Sequence, residues 1–186
     1  ASDVYKRQEF QTASNEALEA AGLLAHFVGD LANPHHTTRD YDGWEIGQGG
    51  VHAFFESKVV SSYGLDLDGQ VMAEARNKEH AKRVLAQLPA KQRRELSKDP
   101  VALAYALALD SFTRLEHLNQ LDRKHALLKK SKKDKGLKVP AQRHPPRKVA
   151  PHFRKLALER LATASAMIAY FWDLAWREAG LSLIHI

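Results

Sequence analysis

The sequence predicts an all-α domain, and three observations carry that expectation. Apolar residues recur three and four apart over long stretches, as at Leu103, Leu107, Phe112, Leu115, Leu118 and Leu121. Residues that start or stop helices stand between those stretches: Ser14, Asn33-Pro34, Asp99-Pro100 and Gly180. No alternation of polar and apolar residues lasts long enough to predict a strand, and no internal repeat is present.

Taken in order, Ser14 can cap a helix over 15–31 whose apolar stripe is Leu18, Leu23, Leu24, Phe27 and Leu31. Pro34 ends it, because proline lacks the N–H and clashes with the preceding turn. Residues 37–50, with Gly43, Gly47, Gly49 and Gly50, read as a loop, and a second helix spans about 51–63. Asp68 can cap a third helix reaching about Leu88, followed by a short one over 90–96. Asp99 before Pro100 pairs a capping side chain with a proline at the first helical position. It opens a helix expected to run through Leu128. Residues 129–148 form a basic loop, and the last helix, about 150–179, stops at Gly180, suited to the left-handed position after a helix.

The 186 residues carry a formal charge of +6, and the excess is local. Between Arg123 and Lys155 there are 13 Lys and Arg against one acid, Asp134. Zero cysteines exclude disulfides and thiolate metal sites. No run approaches the roughly 18 apolar residues that span a bilayer. The most apolar stretch, 161–176, contains Asp173 and reads as a buried helix, with Phe153, Tyr170, Phe171, Trp172 and Trp176 as core.

The two ends stand apart from the rest. Residues 181–186, Leu-Ser-Leu-Ile-His-Ile, back-translate to CTG TCT CTT ATA CAC ATC. Residues 3–8, Asp-Val-Tyr-Lys-Arg-Gln, back-translate to the reverse complement of that string. Both match a transposon end used in preparing sequencing libraries. Residues 1–8 and 181–186 are therefore expected to be adapter translation, and 9–180 a single α-helical domain fragment, incomplete at its N-terminus.

Five metal-ligand side chains fall within 26–56: His26, Asp30, His36, His52 and Glu56. Residues four apart on a helix share a face, so His26–Asp30 and His52–Glu56 each aim an imidazole and a carboxylate at one region. Zinc accepts both donor types. A third pair, His36–Asp40, lies in the same window, where Asp40 and Asp42 read as loop caps. Arg39 is a phosphate-contact candidate or a solvated loop arginine. His117 and His125 read as surface or helix-contact histidines.

The stretch HFVGDLANPHHTTRDYDGWEIGQGGVHAFFE resembles the metal-binding segment of the zinc-dependent phospholipase C and fungal-type zinc nuclease superfamily. That segment reads H-x3-D, a further His ten residues after the first, then H-x3-E or H-x3-D. His26, Asp30 and His36 keep the first spacing, with Gly29-Asp30 and the proline two residues before His36; His52 and Glu56 keep the second. Spacing selects His36 over its neighbour His35.

The resemblance implies an all-α fold and a site for three zinc ions. His26 would bind one metal of a close pair and Asp30 would bridge that pair. His36, His52 and Glu56 would hold the third zinc, the one position complete in this chain. The remaining family ligands, an N-terminal Trp, two His and an Asp, have no match here, and Ala32-Asn33 stands where relatives have His-Gln.

The implied reaction is zinc-dependent hydrolysis of a phosphodiester, zinc supplying a hydroxide nucleophile at neutral pH, with little activity expected of this chain alone. No general base beyond the ligands is named. The implied substrate is a phospholipid or single-stranded nucleic acid, with H-x3-E closer to the phospholipase branch. The resemblance also implies a secreted or periplasmic monomer that contacts membranes only peripherally. The competing expectation is a non-catalytic helical module that binds nucleic acid or anionic membrane through residues 123–155.

Overall fold

A computed structural model describes residues 2–64, 66–96 and 99–180. It is 72% helical, with two small antiparallel sheets of two strands each, so the all-α class holds. Residues 181–186, expected to be adapter-derived, lie outside the described residues. No helix among the described residues is long and apolar enough to cross a membrane.

Helix α1 spans Ser2–Ala32 and passes straight through Ser14, which therefore caps nothing. Residues 3–13 contain neither Gly nor Pro, so nothing there stops the helix from extending upstream. Its buried face also differs from the expected stripe. Val28 and Ala32 enter the core with Leu24 and Leu31 packed against it, while Leu18, Leu23 and Phe27 stay exposed. A 3-10 turn, Pro34–Thr37, follows. The second helix begins as α2, Val51–Ala53, widens into a π turn at Phe54–Val59 and tightens into a 3-10 turn at Val60–Tyr63.

The helix expected from Asp68 to Leu88 is two: α3, Asp66–Ala75, and α4, Glu79–Leu85. Asp68 sits in the first turn of α3. The break falls at Asn77, whose side-chain oxygen accepts from the backbone N–H of Glu79 at 3.1 Å, a local bond that competes with the helix ladder. After α5, Ala90–Arg94, Asp99 caps α6, Pro100–Phe112, accepting from Ala102 N as its sequence position predicts. The expected continuation to Leu128 is interrupted after Phe112, where Thr113 Oγ1 donates to the carbonyl of Asp110 at 2.6 Å. Helix α7, Leu115–Leu121, runs into a π turn at Asp122–Ala126.

The basic segment is a correction of a different kind, because it is ordered strand. Strand β1, Leu127–Lys129, pairs antiparallel with β4, Gln142–Arg143; β2, Lys132–Asp134, pairs with β3, Leu137–Val139. Lys135 (φ 49°) and Gly136 (φ 84°) make the two-residue turn, and paired positive φ values match the twist of a tight hairpin.

Helix α8, Pro146–Glu178, is the spine. Its first half packs Val149, Ala150, Phe153, Leu156 and Ala157 against Phe54, Phe55, Val59, Leu118 and Ala126. Its second half packs Ala164, Met167 and Phe171 against α1, α4 and α6. Phe153 and Phe171 are thus core as expected, Tyr170 and Trp176 are half-buried, and Trp172 is exposed. Gly180 takes a left-handed φ of 72° and donates to the carbonyl of Arg177, ending the helix as its position implies.

Arg160 sits between the two cores. Its Nη1 donates to Asp110 Oδ2 at 2.8 Å, its Nη2 to Ser111 Oγ at 3.0 Å, and its Nε to the carbonyl of Ala32 at 3.0 Å. That last bond fixes the end of α1, immediately before the segment that carries His36.

Candidate metal centre

Asn33 shapes the entry to the site. Its backbone is extended, and its Oδ1 accepts from the N–H of His35 at 3.0 Å, capping the 3-10 turn. Within that turn successive side chains diverge. His35 points inward, 1% exposed, with Nε2 3.0 Å from Asn119 Oδ1 and Nδ1 against the Asp40 backbone without a well-formed hydrogen bond. Burial, opposed by the Asn119 contact, lowers its pKa below the ordinary imidazole value. His36 points outward, so the spacing that selected it over His35 agrees with the geometry.

The loop 38–50 then returns the chain to α2. Asp40 accepts from the N–H groups of Trp44 and Glu45 at 2.8 and 3.0 Å, and Asp42 accepts from Trp44 Nε1 at 2.8 Å. Both aspartates are therefore loop caps, as expected. Arg39 pairs with Glu45 at 2.9 Å on the surface. The Trp44 ring covers Gly49 so closely that a Cβ there would lie 2.5 Å from ring carbon, so only glycine fits. Gln48 is fully buried, and its Nε2 donates to Asp122 Oδ2 at 2.7 Å and to the carbonyl of Asn119 at 3.0 Å. Arg143 closes this hub with two bonds to the Asp122 carboxylate, at 2.7 and 3.0 Å, and one to the carbonyl of Gln48 at 2.6 Å.

On that frame three donor atoms converge. His36 Nε2 and His52 Nε2 lie 2.7 Å apart, His52 Nε2 and Glu56 Oε2 2.8 Å, and His36 Nε2 and Glu56 Oε2 3.3 Å. Two imidazoles can supply at most two N–H donors to these three contacts, and two N–H groups facing each other would repel. A cation at the centre removes that conflict. A tetrahedral zinc with bonds of about 2.0–2.1 Å holds its ligand atoms about 3.3 Å apart, near the spacing seen here. The side chains of His36, His52 and Glu56 are 26%, 23% and 48% exposed, so solvent reaches the point of convergence. The donor set fits a zinc with an open position.

Asn33 also supports the trio, since its Nδ2 donates to Glu56 Oε2 at 2.7 Å. Partial burial of Glu56 raises its pKa, but the hydrogen bonds from Asn33 and His52 and the nearby imidazoles outweigh it. They hold the carboxyl below its ordinary value. The sequence analysis had treated Asn33 only as a departure before proline; an Asn at that position is a cap signal that could have drawn attention to it. Glu56 itself lies in the π turn, a feature often found at functional sites.

His26 and Asp30 stand beside the trio. Asp30 Oδ2 is 3.6 Å from His26 Nε2 and 3.9 Å from His36 Nδ1, so its carboxylate lies behind the His36 ring. His26 is largely exposed. All five expected ligands thus follow one another in space, but three of them share a single focus among the described residues. A cavity of about 230 Å³ adjoins the trio, lined by Asp30, Asn33 and Glu56 and by the apolar Phe55, Val60, Leu161 and Ala164.

Elsewhere, His117 is exposed, whereas His125 stacks on His152 with centroids 3.8 Å apart, in accord with a helix contact. Compared with protein-family models, curated proteins and solved structures, the chain matches none.

Removing the Asn33 amide tests its supporting role. Asn33→Ala should weaken zinc binding about 10- to 100-fold, the range for partners that orient a metal ligand. Isothermal titration calorimetry with zinc measures it, and unchanged affinity would show that Glu56 needs no support from Asn33.

Proposed function

We propose that this chain carries part of a zinc-dependent phosphodiester hydrolase, of the type resembling phospholipase C or the fungal-type zinc nucleases. The convergence of His36 Nε2, His52 Nε2 and Glu56 Oε2 within 3.3 Å of one another is the observation that supports it. In this reading His36, His52 and Glu56 hold a zinc, and His26 and Asp30 contribute to a neighbouring metal pair. Bound zinc supplies a nucleophile at neutral pH and stabilises negative charge building on phosphoryl oxygens.

The chain's own residues prepare the site. Asn33 keeps the Glu56 carboxylate turned toward the imidazoles, and the depressed pKa of Glu56 keeps it ionised as a ligand. The apolar side of the adjoining cavity can take the organic portion of a phosphodiester and exclude water from it. The substrate is a phosphodiester in a phospholipid or in single-stranded nucleic acid.

Metal analysis after purification in zinc-containing buffer tests the reading, together with release of nitrophenol from bis(p-nitrophenyl) phosphate. The expected result is a single zinc per chain and slow turnover that chelation abolishes, because the metal pair has only His26 and Asp30 here. A chain that retains no zinc overturns the reading. Hydrolysis that survives chelation overturns the mechanism.

A further inference from the structure

The basic hairpin is tied directly to the segment that delivers His52. Ser131 N donates to the carbonyl of Gly47 at 2.9 Å, Ala141 N to that of Gly49 at 3.0 Å, and Arg143 locks both sides to buried Asp122. The arm is therefore a fixed projection on the frame of the candidate metal centre. Its outer surface carries Lys129, Lys130, Lys132, Lys133, Lys135 and Lys138, all exposed. Asp134 is the one acid there, paired with Lys132 at 3.3 Å.

Two features bear on what such a surface meets. First, every exposed cation of the arm is lysine, and its arginine is consumed by the buried hub. Lysine is a hydrated point charge suited to a diffuse anionic surface, whereas arginine's planar fork suits individual phosphates. Second, Leu128 and Leu137 stand 58% and 72% exposed among those lysines, and no exposed aromatic lies on the arm. Stacking on single-stranded bases needs aromatic or arginine planes. Aliphatic side chains interspersed with lysine fit the boundary between lipid headgroups and acyl chains.

From this we propose that the hairpin 127–143 is a contact surface for an anionic lipid bilayer, with its lysines held over the headgroups and Leu137 reaching into them. The proposal does not rest on zinc chemistry: a protein of this fold could bind membrane with or without a working metal site.

Vesicle sedimentation with the full chain, in chelator and at low ionic strength, tests it. Vesicles of phosphatidylcholine mixed with phosphatidylglycerol should bind, and pure phosphatidylcholine should not. Replacing Lys129, Lys132 and Lys133 together by Gln should lower partitioning about a hundredfold, and added salt should mimic that loss. Leu137→Ser should weaken binding severalfold, and His52→Ala should leave it unchanged. Circular dichroism of the lysine variant checks the fold, and Leu137→Ser probes the surface with every charge in place. No binding to the anionic vesicles, or binding indifferent to both variants, overturns the proposal. So does preferential binding to a single-stranded oligonucleotide that Leu137→Ser does not affect, which would assign the arm to nucleic acid.

Discussion

His52→Ala is expected to cut the zinc affinity of this chain by more than about a hundredfold, while His26→Ala changes it little. His52 Nε2 is the donor atom with both short contacts of the trio, 2.7 Å to His36 and 2.8 Å to Glu56. Its loss leaves one imidazole and one carboxylate, half the ligands of a tetrahedral zinc. Removing only the outer partner of a metal ligand costs about 10–100-fold, so losing a ligand itself exceeds that range. His26 lies outside the focus, 3.6 Å from Asp30 and largely exposed. Calorimetric zinc titration separates the two variants, and an equal loss in both would place the primary zinc elsewhere. Thermal unfolding gives a second readout, since a ligand bound only by the native state stabilises it by about 2.7 kcal/mol at a hundred times its Kd. That increment should vanish in His52→Ala and persist in His26→Ala.

Why the trio was legible in sequence follows from its locality. His52 and Glu56 are set by one helix, and His36 by its distance past Pro34, so spacing alone brings their identities together. Asp99-Pro100 and Gly180 were legible for the same reason, since a helix end is decided by the few residues that make it. What was not legible depends on distant partners. Gln48, Asp122 and Arg143 form one buried hub across 95 residues of chain, and no local pattern marks any of them. The hairpin escaped notice because its strands are short and nearly all lysine, without the alternation of a half-buried strand. On α1, Leu18 and Leu24 are equally apolar; only the placement of α6 and α8 decides that Leu24 is covered. At Asn77 and Thr113 a side-chain hydrogen bond broke a helix whose apolar period ran straight on.

The largest effect on stability should come from Asp110→Asn, at about 3–5 kcal/mol. Asp110 and Arg160 are almost wholly inaccessible, at 1% and 4% side-chain exposure, and Arg83 Nε adds a 2.9 Å bond to the same carboxylate. Removing one charge leaves Arg160 buried with only the Ala32 carbonyl and Ser111 Oγ as close partners. A domain stable by about 5–15 kcal/mol loses a large fraction of that margin. Replacing both residues, as Asp110→Leu with Arg160→Met, should recover much of the loss, because a buried ion pair exchanged for packed apolar groups is often close to neutral. The double variant should nonetheless bind zinc more weakly, since Arg160 no longer holds the carbonyl of Ala32 ahead of Asn33 and His36. The pH dependence has a defined sign. Partial burial pushes the Asp110 pKa up, but the hydrogen bonds and charges of Arg83 and Arg160 outweigh it and hold it below 3.8. The ionised carboxylate therefore contributes fully above pH 3.8 and loses its contribution as pH falls through the lower folded value. Urea midpoints of the wild type and Asp110→Asn should differ by a constant amount above that range and converge below it. A gap that stays constant into strong acid would mean that Asp110 acts through packing and not through its charge.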